Sequence, residues 1–137
     1  MIRRLVVAVA VIAATLASHP AVAAEAPRRF TACAAVSATA RRCYGGGVTY
    51  EVGQTVFLRG RVTPAHPGFG EVMRQAPGGS GLRTAGIMGV GTDGRIRWSW
   101  TPRRRDVSRA EPHLVAFRIS GVARSNVVEI WVVPEDY

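Results

Sequence analysis

Hydrophobic and polar residues alternate along most of the chain after residue 47, with the period of two that is typical of β-strands with one buried face. The clearest run is 54–63. Its apolar face carries Val56, Leu58 and Val62. Its other face carries Phe57, Arg59 and Arg61. We therefore expect one side of this strand to pack on a core and the other to face outward.

Five more runs of this kind follow, separated by Gly, Pro and Asp residues that interrupt strands. They predict strands at 70–75, 82–90, 95–101, 114–120 and 126–133. The pair Asp93-Gly94 is a strong signal for a tight hairpin turn, and residues 103–110 fit one helical turn. In the strand after that hairpin, Trp98 and Trp100 share the apolar face with Ile96, so we expect both indoles at the centre of the core. Many short strands without crossover helices predict an all-β fold, an antiparallel sandwich of about seven strands.

Several segments resemble bacterial extracellular immunoglobulin-like domains. They are 52–64 (VGQTVFLRGRVTP), 93–102 (DGRIRWSWTP), 117–119 (FRI) and 125–128 (SNVV). The resemblance covers about 85 residues and rests on strand and turn motifs. It implies an immunoglobulin-like β-sandwich and a setting at the cell surface or outside the cell, and it carries over no catalytic residue.

The first residues predict a signal peptide at 1–24. Arg3 and Arg4 precede an apolar run at 5–17, and small residues follow at 21–23. A helix of that run reaches only about 20 Å, against roughly 30 Å of bilayer hydrocarbon. We expect the rest to form one domain, with a disulfide-stapled segment at 25–47 and the sandwich at 48–137. The mature protein would have no transmembrane segment and would be secreted or held at the cell envelope.

Cys33 and Cys43 are the two cysteines of the chain. In an exported protein they are expected to pair, and closing so short a loop contributes roughly 2.8 kcal/mol by the chain-entropy relation. Neither the cysteines nor the histidines have the spacing of metal ligands. We therefore expect no metal site and no cofactor.

No set of residues has the arrangement that catalysis requires. His66 and His113 each adjoin a proline in predicted loops, no serine lies in a G-x-S-x-G turn, and the carboxylates are not paired. The segment 89–94 matches G-x-G-x-x-G, but a strand pattern follows it where a nucleotide-binding helix would be needed. We expect a protein that is not an enzyme.

Charge and exposed aromatic residues supply the candidate binding sites. The formal net charge is +9, and all 18 basic residues are arginine. The first candidate is the loop of Arg103, Arg104 and Arg105. The second is formed by Trp131, Phe57, Arg59 and Arg61, which the alternation places on outward faces. Each feature has an alternative interpretation. The arginines could be an ordinary solvated exterior, and the aromatic rings could pack under neighbouring segments.

The function that this pattern favours is a secreted or envelope-associated immunoglobulin-like binding module that acts through a surface. Its partner would be an anionic envelope polymer, a glycan or an envelope protein, and no nucleic acid is expected because the protein acts outside the cell. Two alternatives stay open: a non-catalytic structural or accessory subunit of an envelope protein, and an apoprotein that carries a small molecule. The oligomeric state is left open.

Overall fold

The computed structural model describes residue 27 and residues 29–135, so the predicted signal peptide lies outside the described residues. Within them, the chain forms nine strands and one 3-10 turn, Arg104–Asp106. The strands are β1 (Arg29–Ala35), β2 (Val48–Glu51), β3 (Val56–Thr63), β4 (Gly68–Gln75), β5 (Arg83–Val90), β6 (Arg95–Trp100), β7 (His113–Ile119), β8 (Ala123–Arg124) and β9 (Val128–Val133). No helix in this part of the chain is long and apolar enough to cross a lipid bilayer.

The strands form one mixed sheet in the order β1-β3-β6-β5-β4-β7-β9-β2, with β8 beside β7. The pairings are antiparallel except that β2 runs parallel to β9. The sheet curves until its ends nearly meet. There the side-chain amide of Asn126 accepts from the backbone N–H of Ala32 (2.7 Å) and donates to the carbonyl of the same residue (3.0 Å). The sheet is therefore almost a closed barrel.

The all-β prediction is confirmed, and the six strands predicted by alternation correspond to β3, β4, β5, β6, β7 and β9 to within two residues at each end. The expected number of about seven strands is wrong. β1 was missed because its sequence, RFTACAA, is rich in small residues and has little contrast between its faces. β2 and β8 have four and two residues, too few to establish a period.

The core lies where the alternation predicts it. Val56, Leu58 and Val62 are at most 1% exposed. The inward residues of β7 and β9 pack with them: Val115, Phe117, Ile119, Val128, Ile130 and Val132. Burial of these aliphatic and aromatic side chains is the main force that holds the sheet in its curved form.

The expectation for Trp98 and Trp100 is wrong in one respect. Both indoles face inward, but they are half-buried and lie at the edge of the core. The predicted turn at Asp93-Gly94 is present, and Gly94 has the positive φ of 80° that such a turn favours. Beyond it, β5 and β6 share a single register pair, Val90↔Ile96. The two strands then separate, so β5 covers Trp98 only in part, at Gly86.

The N-terminal segment belongs to the same sheet. β1 pairs with β3 from Arg29↔Thr63 to Ala35↔Phe57, and Cys33 forms the predicted disulfide with Cys43. The following strand is tied in as well, because the Tyr50 hydroxyl donates to the carbonyl of Ala35 at 2.8 Å. Burial raises the pKa of Tyr50 to about 12.

Candidate functional site

The predicted site residues do not form one cluster. Phe57, Arg59 and Arg61 lie on the outer face of β3, and Trp131 is half-buried on the outer face of β9, opposite Thr49 of β2. The segment 103–105 lies at the end of β6. The structure therefore separates these residues into an arginine-rich sheet face, a loop, and a lone tryptophan.

The arginine-rich face is built by two adjacent strands. Arg59 of β3 lies directly opposite Arg97 of β6, and Arg61 lies opposite Arg95. We call these four residues the arginine face. Directly opposed like charges destabilise a sheet. Among the described residues one ion pair involves this face, an exposed contact of 3.5 Å between Arg95 Nε and Asp93 Oδ2. The described part of the chain therefore supplies no carboxylate partner for the other three arginines.

Arg59 differs from the other three members because it has structural partners. Its guanidinium donates to the carbonyl oxygens of Ser37, Ala38 and Ala40, at 3.3, 3.0 and 2.5 Å. These carbonyls belong to the loop closed by the disulfide, which folds over the outer face of β3. Phe57 lines a small cavity with Ala38 of that loop. The loop therefore half-buries both residues.

A shallow cavity of about 430 Å³ lies over the arginine face. Its charged lining residues are Arg41, Arg59, Arg61, Arg95 and Arg97. The sequence pattern had placed Arg95 and Arg97 on an outward face without assigning them to the site. The signal that identifies them is the repeated Arg-x-Arg of β3 and β6, but only the register shows that the two repeats are adjacent. Arg41 comes from the disulfide loop and had no such signal.

Arg118 of β7 does not add to this positive charge, because it is paired with a carboxylate. Its Nε donates to Glu71 Oε2 at 2.8 Å, and its Nη2 contacts the same oxygen. This hydrogen bond and the positive charge lower the pKa of Glu71. The ion pair links β7 to β4 and leaves the arginine face as the concentrated positive region of the sheet.

The loop at 103–105 divides between two cavities. Arg103 and Arg105 line one of about 460 Å³ together with Arg74 and Trp100. Arg104 lines another with Arg109 and Glu135. The turn is fixed because the buried side chain of Asp106 accepts from the backbone N–H of Arg103 at 2.8 Å. The three arginines are therefore divided between two cavities.

His113 is the most enclosed titratable side chain near this loop, with 1% exposure. Its Nε2 lies 2.6 Å from the carbonyl oxygen of Asp106. Because a carbonyl only accepts, Nε2 carries the proton. Burial lowers the pKa of His113, and the nearby charge of Arg74 acts in the same direction. This imidazole is neutral and shielded, so its role is structural.

Within the described residues, no group of three His, Cys, Asp or Glu side chains is placed to hold a metal ion. The arrangement instead offers two kinds of chemistry. The arginine face offers bidentate donors to carboxylate or phosphate oxygens, and the half-buried indoles of β6 offer flat apolar surfaces beside further arginines.

Comparison with known proteins adds no assignment to this geometry. No family model matches the chain, and no curated protein is significantly similar to it.

Proposed function

We propose that this protein is a secreted or envelope-associated binding module with an immunoglobulin-like fold, and that its arginine face binds an anionic polymer of the cell envelope. The single observation that carries the proposal is the direct opposition of Arg59 with Arg97 and of Arg61 with Arg95. Such pairs lower the stability of the folded chain. An anionic ligand removes that cost when it binds.

The strand path supports the immunoglobulin-like fold. The single pair between β5 and β6 divides the path into β1-β3-β6 and β5-β4-β7-β9-β2. These two parts of the nearly closed sheet enclose one apolar core, as the two layers of a β-sandwich do. The Cys33–Cys43 disulfide is in keeping with an oxidising compartment outside the cytoplasm, and the signal peptide stays a prediction.

A polymer suits the arginine face better than a single ion does. Alternate residues of a strand are about 6.6 Å apart, and neighbouring strands are about 4.8 Å apart. The four residues therefore leave the sheet from a two-by-two array of positions, which suits repeated charges along a chain better than one charge. Arg59 is held by the disulfide loop, whereas Arg61, Arg95 and Arg97 are exposed and available to a ligand.

The test is sedimentation of the purified protein with isolated cell envelope at about 0.01 M and about 1 M salt, where the Debye length is about 30 Å and about 3 Å. We expect binding at low salt and its loss at high salt. A triple variant, Arg61→Gln, Arg95→Gln and Arg97→Gln, should lower the affinity about tenfold or more, equivalent to about 1.4 kcal/mol. Arg59 is kept so that the loop stays in place.

The matched control is a second triple variant, Arg104→Gln, Arg109→Gln and Arg124→Gln. It removes the same charge from exposed sites outside the cavity over the arginine face. Equal losses in the two triple variants would show that net charge alone drives binding and would overturn the assigned site. Absence of binding at both salt concentrations would overturn the polymer proposal. If the protein binds the envelope, competition by soluble polyphosphate or by polyglucuronate shows whether phosphate or carboxylate is the recognised group.

A further inference from the structure

A second opening in the molecule lies where β5 and β6 separate. β4 pairs with β5 from Gly68↔Val90 to Arg74↔Arg83, whereas β5 meets β6 only at Val90↔Ile96. The interior of the sheet is therefore accessible between the two strands. The opening has a volume of about 590 Å³, within the range of small-ligand sites. We call it the tryptophan cleft and define it by Arg74, Gly78–Gly81, Arg83, Trp98 and Trp100.

Two aromatic rings form the wall of the cleft that belongs to β6. Trp98 packs close to the backbone of β5, since a Cβ added to Gly86 would lie 3.3 Å from its Nε1. Trp100 is held in an edge-on contact with the ring of His113, with 5.0 Å between centroids. Both indoles are half-buried. Both rings are already in place, so a ligand that packs on them orders few side chains. The ring of Trp100 already carries the guanidinium of Arg74, so Trp98 is the indole that a ligand ring can pack on.

The charge of the cleft is positive. Arg74 and Arg83 are opposed across β4 and β5, and the described residues that line the cleft include no carboxylate. The guanidinium carbon of Arg74 lies 4.8 Å from the centroid of the Trp100 ring. An adjoining cavity shares Arg74 and Trp100 and adds Arg103 and Arg105. An acidic group on a ligand would therefore lie between guanidinium donors of the cleft and those of the adjoining cavity.

Polar groups suitable for hydroxyls surround the rings. Ser80 and Thr84 line the cleft together with the backbone of the segment 78–81. The Thr84 hydroxyl donates to Glu71 at 3.3 Å and keeps its capacity to accept, whereas the N–H of Gly78 is taken by Glu111 at 2.9 Å. That segment has positive φ at Gly78 (77°) and Gly81 (148°), so glycine is favoured there and no large side chain fills the space. Hydroxyl and backbone groups beside an indole suit a polyhydroxylated ring better than a purely apolar one.

We propose that the tryptophan cleft binds a sugar ring that bears a carboxylate. The C–H face of the sugar packs on the indole of Trp98, and its hydroxyls bond to the polar rim. Its carboxylate accepts from Arg83 and from Arg74, which lies over the ring of Trp100. This site is separate from the arginine face and does not depend on the function proposed for it.

The test is a fluorescence titration in a Trp131→Phe background, where Trp98 and Trp100 are the only remaining tryptophans. The probe is a glucuronic acid disaccharide, and the comparison ligands are the neutral glucose disaccharide and benzoate. We expect saturable quenching by the acidic disaccharide alone. Arg83→Gln, at an exposed residue of the rim, should weaken that binding about tenfold. Arg109→Gln, at an exposed residue outside the cleft, should leave it unchanged.

Absence of saturable quenching by the acidic disaccharide would overturn the proposal, as would equal binding of the neutral disaccharide or an unchanged affinity in Arg83→Gln. Tighter binding of benzoate would overturn it in favour of an aromatic acid. The triple variant of the arginine face, placed in the same background, should bind the disaccharide normally. Loss of binding in that variant would contradict the separation of the two sites.

Discussion

Single side chains in this protein often have a different role from the one their type suggests. His113 resembles a candidate base, yet it is 1% exposed and bonded to a backbone carbonyl. Arg59 resembles a ligand-binding arginine, yet it donates to three carbonyls of its own chain. In both cases the side chain is bonded to backbone carbonyls of its own chain, which contributes to stability. The buried Nδ1 of His113 has no hydrogen-bond partner among the described residues.

The neutral state of His113 predicts a loss of stability in mild acid. Its pKa is lowered from 6.5 in the folded state. As the pH falls below 6.5, the unfolded chain binds a proton that the folded chain does not, so the free energy of unfolding decreases by at most about 1.4 kcal/mol per pH unit. The measurement is urea denaturation between pH 7.5 and 5.5.

Two charged residues lie near the His113 ring. Asp106 raises the pKa of His113, and Arg74 lowers it. His113→Gln should be less stable at pH 7.5 but should lose most of this pH dependence. An unchanged slope in that variant would contradict the assignment to His113.

Arg59→Met should destabilise the protein by about 1–3 kcal/mol because three loop carbonyls lose a charged donor while most of the aliphatic stem is kept. The matched control is Arg61→Met on the same face, whose side chain is exposed. Chemical denaturation compares the two, and amide exchange of residues 36–42 reports the loop. Equal effects of the two substitutions would refute the anchoring role.

Pairs of strands explain why the outer surface is unevenly charged. The Arg-x-Arg repeat of β3 lies in register with that of β6 and opposes like charges. β7 and β8 also oppose two arginines, Arg118 and Arg124, but Glu71 neutralises the first of them. The register of β3 and β6 therefore concentrates positive charge on the outer face, in contrast to the pair of Arg118 and Arg124.

Arg97→Thr should raise the stability by about 0.2–1 kcal/mol at low salt, since it removes a like-charge pair and introduces a residue that favours strands. The gain should shrink at about 1 M salt. Thermal or urea denaturation at two salt concentrations measures it, with Arg109→Thr outside the sheet as the control. Lower stability of the variant at low salt would show that the pair carries no strain.

The whole molecule depends on contacts between distant parts of the chain. Asn126 lies just before β9, and its side chain bonds to the N–H and the carbonyl of Ala32 on β1, 94 residues away. These bonds join the two ends of the curved sheet. β1 pairs with β3, and β3 carries half of the arginine face. The arginine face and the disulfide loop are therefore connected to this junction through β3. Closure of the sheet and presentation of the basic surface are therefore linked.

Asn126→Ala should cost about 1–3 kcal/mol, because both backbone groups of Ala32 lose a partner. Gln54→Ala is the matched control, since its amide accepts only from the nearby Glu51 N–H in an exposed position. Urea denaturation gives the two costs, and amide exchange at Ala32 should quicken only in the first variant. A larger cost for Gln54→Ala would rule out closure by Asn126.

The sequence alone determined six of the nine strands, the hairpin turn, the inward faces and the disulfide. These features depend on alternation, on short turn motifs and on redox chemistry, all of which act over a few residues or follow from residue type. Tertiary structure alone decided which arginines face each other, which of them the chain itself binds, and where β5 and β6 separate beside the half-buried tryptophans. Those outcomes depend on strand register and on contacts across the sheet, and no local pattern encodes the partner of a residue that is far away in the chain.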